Sequence, residues 1–390
     1  MPQFKTFKLG DAINLVKDGY TPSLTEHLHY IGLEHIEQQT LRLAGIGKSS
    51  DVTSNKFRFK SGDILFGKLR PYFRKVYRPK FDGVCSTDIW VVRAKKNFDQ
   101  GFIYYLMASE EFVDLSSQGS SGTRMPRADW NNLKNIEWEF PSLPTQTRIA
   151  AILSSLDDKI ELNRRTNATL EAMAQTLFKK YFVEDIDPDN LPDGWRMASL
   201  NELMDFEGGM QPPANQFIDI PEHGYVRLIQ IRDYESDSNI TYVPLKNNLR
   251  FCNRKDVMIA RYGASVARVC YGLDGAYNVA LVKVKPHKPF YTEFLRTYLK
   301  SKDCQEKIIN MSFRSVQAGF NKDDFKSIII PVPNDDQNFI SYENEVSILI
   351  DKILRNREQN KVLAKTRDSL LPKLMSGEIE VNAAENELVS

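Results

Sequence analysis

Arginine, lysine and glutamine side chains crowd two stretches of this chain, and the chemistry they offer is recognition of a polyanion. Between Lys56 and Lys80 stand nine basic residues against the single acid Asp63, a net of +8. Between Lys246 and Arg268 six basic residues stand against Asp256, a net of +5. The whole chain carries only +1, because acids collect at Glu184 to Asp193 and in the C-terminal tail, so the total hides the local pattern. In the first half the candidate contacts to such a ligand are Lys68, Arg70, Arg74 and Lys75, with Arg124 and Arg127 from the Gly/Ser-rich loop before Asn131. In the second half they are Arg261, Arg268, Arg314, Gln317 and Lys322. Arginine and glutamine form bidentate contacts with guanine and adenine edges, whereas most lysines meet phosphate and are salt-sensitive. A charge run by itself gives position without base readout, so a solvated surface cation is the competing reading for each of them.

Catalytic constellations are missing from the sequence. Pro212-Pro213 follows Gln211, not the Asp or Asn of an adenine-methyltransferase tetrapeptide, and no convincing Gly-rich cofactor loop follows a strand. Gly47-Lys48-Ser49 resembles the end of a phosphate-binding loop, but Arg42 occupies the place of the required glycine. His27, His29 and His35 with Glu26 and Glu34 lack the spacing of a helical metal pair and read as a solvated loop and strand edge. Cys85, Cys252, Cys270 and Cys304 are scattered without a C-x-x-C pair, which points to buried thiols and away from disulfides or zinc. Neither an apolar run of about 18 residues nor a secretory signal is present, so the expected location is the cytoplasm. The expectation is therefore no catalytic residue, no metal and no cofactor in this chain.

The elements that must hold these residues recur once. Gly62 to Lys68 aligns with Lys255 to Arg261 at an offset of 193, Leu133 to Ile136 with Phe325 to Ile328 at 192, and Asp158-Lys159-Ile160 with Asp351-Lys352-Ile353 at 193. A period this long means two related modules, not a solenoid. Asp63 to Lys68, Asp88 to Val92, Val257 to Arg261 and Val279 to Val284 read as strands, and Asn135 to Phe140 alternates with Ile136, Trp138 and Phe140 on one face. Phe102 to Ser116 and Tyr291 to Asn310 read as helices.

Each module ends in a coiled-coil seam. Ile149, Leu153, Leu156, Ile160, Asn163, Asn167, Leu170, Ala174, Leu177 and Tyr181 follow an unbroken 4-3 alternation. Tyr342, Val346, Leu349, Ile353, Asn356, Asn360, Leu363, Arg367, Leu370 and Leu374 repeat it. In each seam the two asparagines stand equally far from the two ends. If the helices pair antiparallel with ends aligned, Asn163 meets the layer of Asn360 and Asn167 that of Asn356, and buried Asn sets register at a cost in stability. The alternative is that these amides are exposed or face a third helix. Pro372 enters the last turn of the second helix, where it is expected to kink it.

The expected class is mixed α+β, with two globular α/β domains separated by two long antiparallel coiled-coil helices in a pseudo-twofold repeat. The expected boundaries are 1–144 for the first domain, 145–183 for its helix, 184–194 for a linker, 195–335 for the second domain, 336–376 for its helix, and 377–390 for an acidic tail.

The run Phe140-Pro141-Ser142-Leu143-Pro144-Thr145-Gln146-Thr147-Arg148-Ile149, continuing through Leu156-Asp157-Asp158-Lys159-Ile160 to Asn163-Arg164-Arg165, strongly resembles the conserved helical region of Type I restriction-modification specificity subunits. Leu170 to Phe182 continues the likeness, and Leu191-Pro192-Asp193-Gly194-Trp195 resembles the start of a target-recognition domain in that family. Thr145-Gln146 stands where the family often has Glu-Gln, and the second helix matches more loosely around Asn334 to Glu343. The resemblance implies a noncatalytic subunit that binds double-stranded DNA, with the basic residues and Gln317 named above as its DNA contacts, and two modification (methyltransferase) subunits. Those partners carry S-adenosylmethionine, and restriction subunits can then join with ATP and Mg. The first seam spans roughly 50 Å at about 1.5 Å per residue, so the implied target is bipartite and asymmetric, with half-sites about 10 to 15 base pairs apart. Rival readings are a nuclease or methyltransferase with a divergent site, and a coiled-coil scaffold or regulatory paralogue that reads no DNA.

Overall fold

The computed structural model describes residues 4–23, 25–118, 125–237, 239–312 and 319–381. Two compact units emerge, Met1–Leu162 with Asn360–Ser390, and Asn163–Gln359. The division falls inside both long helices, Leu143–Phe182 and Gln337–Ser376, so each unit holds one globular module and a half of each helix. At 40 residues each, these helices run about 60 Å. They start two residues before and one residue after the starts expected from sequence, and the second passes Pro372 without ending.

In the first unit an antiparallel four-stranded sheet has the order Ile13–Val16, Ile89–Ala94, Ile64–Gly67, Val76–Tyr77, with Val91 opposite both Val16 and Leu65. A mixed five-stranded sheet runs Gly19–Tyr20, Lys56–Phe59, Gly83–Cys85, His29–Ile31, Gly47–Lys48. The alternating strand Glu137–Phe140 pairs with Lys5–Lys8 and buries Trp138 and Phe140. Helix residues complete this core: Ile149, Leu153 and Leu156 from the first long helix and Leu370, Leu371 and Leu374 from the second join Phe66, Val92, Phe102 and Phe112. Leu153 is wholly buried, and truncating such a side chain to Ala costs about 2–5 kcal/mol. Gln146, also buried, locks the helix start to the module: its Oε1 accepts the Asp99 N–H at 2.9 Å and its Nε2 donates to the Pro141 carbonyl at 2.9 Å.

The second unit repeats the plan. Its central sheet has the order Met204–Gly208, Leu281–Pro286, Met258–Ala260, Val269–Cys270, and Trp195–Ser199 pairs with Ile329–Pro333. A further sheet runs Tyr242–Pro244, Tyr225–Ile229, Gly275–Tyr277, Phe251–Cys252. Phe178 and Phe182 of the first long helix and Phe339, Tyr342, Val346 and Ile353 of the second enter its core.

The helices expected at Phe102–Ser116 and Tyr291–Asn310 are each split in two, as Gln100–Ala108 with Glu110–Gln118 and Thr292–Lys300 with Lys302–Ser312. A serine causes both breaks. Ser109 turns extended, donates its hydroxyl to the Leu106 carbonyl and accepts the Phe112 N–H, ending one helix and capping the next. Ser301 also turns extended and caps the following helix by accepting the Cys304 N–H at 3.3 Å.

The helix halves pair antiparallel inside each unit. In the second, Tyr181 donates to Glu345 at 2.7 Å, Tyr342 to the Ala174 carbonyl at 3.2 Å, and Asn356 Nδ2 to Asn167 Oδ1 at 2.8 Å. Asn163 Nδ2 donates to Gln359 Oε1 at 2.9 Å. In the first unit Asn360 Nδ2 reaches the Ile160 carbonyl at 3.3 Å. Asn163 and Asn356 are buried, and no seam position is exposed.

Candidate nucleic-acid interface

Of the basic residues singled out by sequence, Lys68 and Arg70 sit at the exit of the strand Ile64–Gly67, and Arg261 at that of its repeat, Met258–Ala260. An aspartate fixes each strand entrance: Asp63 accepts the Lys60 N–H at 2.7 Å, and Asp256 accepts the Asn253 N–H at 2.9 Å. Asp63 also receives Arg93 in a two-point pair at 2.6 and 2.8 Å, which holds Arg93 charged through that hydrogen bond. At the exits the backbone is matched again, with Lys68 N–H on the Asp88 carbonyl and Arg261 N–H on that of Ala280, both at 2.9 Å.

A second segment closes on each exit. In the first unit Leu69 bridges Arg127, the Ala128 N–H reaches the Lys68 carbonyl at 2.9 Å, and the Arg70 N–H reaches that of Pro126 at 2.8 Å. Lys68, Arg70 and Arg127 therefore share one patch. Arg127 is half exposed, tethered to Asp88 by one contact of 3.4 Å. In the second unit Tyr262 bridges Gly319, where any Cβ would lie 2.7 Å from the tyrosine ring, so only glycine allows that approach. Arg261 lies over the Tyr262 ring at 5.1 Å and donates to the Phe320 carbonyl at 3.0 Å and Asn321 Oδ1 at 3.1 Å. Arg268 pairs with Glu235 and Lys322 with Asp205, all partly or fully exposed. Arg124, Arg314 and Gln317 lie outside the described residues.

One of the expected contacts belongs to the interior and a second is half-buried with its ammonium engaged. Arg74 is 6% exposed and donates to Asp368 of the second long helix at 3.3 Å; Lys75 donates to the Leu33 carbonyl, and burial pulls its ammonium below the usual lysine range. Arg74 is therefore not presented to a ligand, and the expectation that it contacts DNA is corrected; Lys75 is half-buried, its ammonium on a backbone carbonyl. The segment had only its charge count to speak for it, which is blind to which cations turn inward. Sequence reasoning also missed Tyr72 and Tyr262, exposed aromatics beside these strand exits, 45% and 37% accessible. Their signal was available, since each stands within four residues of Lys68 or Arg261 and a flat ring stacks on a base or supports an arginine.

Elsewhere the histidines serve local structure, as when His35 Nδ1 accepts the Gly32 N–H at 2.9 Å. All four cysteines are free and buried, and burial pushes the Cys85 thiol up to about 12. Among the described residues no helix is long and apolar enough to cross a membrane.

A family model described as the Type I restriction modification DNA specificity domain matches residues 1–172 and again 192–353, once per module. The chain is 28% identical over 306 residues to the specificity subunit of the Type I restriction enzyme MjaIX of Methanocaldococcus jannaschii, covering 72% of this chain and 69% of that protein. It is 24% identical over 467 residues to the HindI specificity subunit of Haemophilus influenzae, covering 97% and 100%. A solved Type-I restriction-modification S subunit from M. genitalium shares the fold, with a TM-score of 0.61 at 17% identity over 96% of each chain.

Proposed function

Because the chain belongs to the Type I restriction modification DNA specificity family, we propose that each of its units reads one half of a two-part DNA target. The two halves differ in sequence because the two strand exits carry different side chains. One observation carries the reading: the same two-segment closure recurs in both units, Leu69 with Arg127 and Tyr262 with Gly319, and each places cations at the end of the same strand. Lys68, Arg70 and Arg127 contact DNA from the first unit; Arg261, Arg268 and Lys322 do so from the second. Their present partners, Asp88, Glu235 and Asp205, are partly or fully exposed acids, so the pairs exchange for phosphate at little cost. Arg124, Arg314 and Gln317, outside the described residues, are proposed as further DNA contacts on their side-chain chemistry alone.

The chain itself is noncatalytic. Two methyltransferase subunits supply S-adenosylmethionine and methylate adenine, and restriction subunits, where they join, supply ATP and Mg. A duplicated helical region suits two copies of one partner, since a repeated surface presents the same patch twice.

The test is co-expression with the neighbouring methyltransferase and mapping of methylated adenines across a genome. A single two-part motif with a fixed spacer is expected. K68A/R127A relaxes or abolishes one half of it and R261A/K322A the other. A stable, active complex that methylates no defined motif refutes the reading.

A further inference from the structure

The duplication allows the two units to be compared position by position, and at one place they diverge in kind. In the first unit, Arg367 of the second long helix is 3% exposed and donates to Asp157 at 2.6 Å and Asp368 at 2.9 Å, while Tyr105 donates to Asp157 at 2.6 Å. This polar cluster fills the space between the helix Gln100–Ala108 and the long pair. At the repeat offset of 192–193, the residues standing for Arg367, Asp157 and Tyr105 in the second unit are Ala174, Ile350 and Thr297. All three are smaller or apolar, and all three line a cavity of about 250 Å³.

The cavity's charges are also particular to this unit. Lys179, Lys300 and Lys302 line it where the first unit has Pro372, Ala108 and Glu110. Arg296 lines it too; it is 2% exposed, is held by Glu293 at 2.7 Å, and its Nη1 has no hydrogen-bond partner among the described residues. The one acid in the lining, Glu171, is already met by Lys300 at 3.1 Å, Arg357 at 3.3 Å and the Tyr271 hydroxyl at 2.9 Å. Lys179 therefore leaves the lining positive, joined by Lys302, whose contact with the exposed Glu306 at 3.7 Å exchanges at little cost, around an apolar wall of Ala174, Phe178 and Ile350.

We propose that this cavity is a binding site for a small organic anion, a carboxylate or phosphate monoester carried on a body of about one ring. The size follows from cavities of about 150 Å³, which suffice for benzene. The apolar wall takes the ring, and the lysines take the charge.

Calorimetric titration of the full-length chain with phenyl phosphate and with benzoate tests this, the two probes deciding between phosphate and carboxylate. Inorganic phosphate and phenol serve as the half-ligands. One site per chain is expected, with one of the probes at least about tenfold tighter than either half-ligand, and K179A/K302A weakens it by about tenfold. A174L fills the cavity with carbon, and A174R/I350D rebuilds the pair seen in the first unit; both abolish binding while the melting temperature is kept. Should the filling variants fail to fold, the lysine pair still reports, because both lysines are at the surface. Failure of both probes to bind at millimolar concentration, or undiminished binding by K179A/K302A or by a folded A174L, overturns the proposal.

Discussion

Arg74 and Arg127 belong to the same basic set in the sequence, yet their replacement by alanine should have opposite consequences. The Arg74 side chain is 8% exposed and makes one charge-assisted contact of 3.3 Å to Asp368, a carboxylate that is itself 42% exposed. An ion pair with so accessible a partner is worth no more than about 1 kcal/mol. The larger loss is the arginine stem, which packs as an apolar chain, and removal of one buried, unpartnered Nε offsets part of it. The sum is about 2 kcal/mol of stability, which for a unit of this size lowers the melting temperature by roughly 4–8 °C. Arg127 is 51% exposed and held by one 3.4 Å contact, so R127A should change stability by less than about 0.5 kcal/mol. DNA binding reverses the ranking. Removing one cation from a phosphate reduces the slope of log affinity against log salt by about 0.9. R127A should therefore flatten the slope by about one, and R74A should leave it unchanged at temperatures where the protein is folded. Thermal unfolding and salt-titrated binding to duplex by the methyltransferase-bound chain read both effects. An R74A protein with an unaltered melting temperature and a flatter salt slope would refute the assignment of Arg74 to the interior.

Three further outcomes are expected. R367A strands Asp157 and should cost about 3 kcal/mol, whereas R367A/D157I, which copies the second unit, should recover more than half of it, as chemical denaturation would show. N167L leaves the buried Asn356 amide without its 2.8 Å partner and should cost about 1–3 kcal/mol, while N167L/N356L should return to wild-type stability or above it in the same assay. Glu343 is pushed up to about 7 by burial and by the neighbouring Glu293 carboxylate, while the Glu293 N–H, donating at 2.8 Å, works the other way. The folded protein thus holds a proton that the unfolded chain releases near pH 4.5. The resulting stability is complete below that pH and is lost as pH rises through about 7. The melting temperature of E343Q should accordingly fall less than that of wild type between about pH 5 and pH 8.

Much of the architecture was legible because it is written in local periodicity. A 4-3 alternation needs no knowledge of the rest of the chain, and every residue it named in the two seams lies on an unexposed helix face. The strand alternation placed Trp138 and Phe140 inward for the same reason, and the 193-residue offset revealed that the two modules share one plan. The serine breaks at Ser109 and Ser301 were not legible, because apolar spacing of three and four continues across both and the stop depends on one hydroxyl choosing the backbone.

Charge was the least legible property, since a cation's role depends on what stands opposite it. Arg74 is buried because folding brings Asp368 from 294 positions away, and no window of sequence contains both. Likewise Arg367 and Ala174 occupy matching seam positions, but only the packed units reveal that one fills its space with an ion-paired guanidinium and the other leaves a cavity. The sequence by itself determined the repeat, the helix seams and the family. Tertiary structure alone decided which basic side chains face outward, because desolvating a charge is tolerated only where a partner meets it, and for Arg74 that partner arrives from a distant segment.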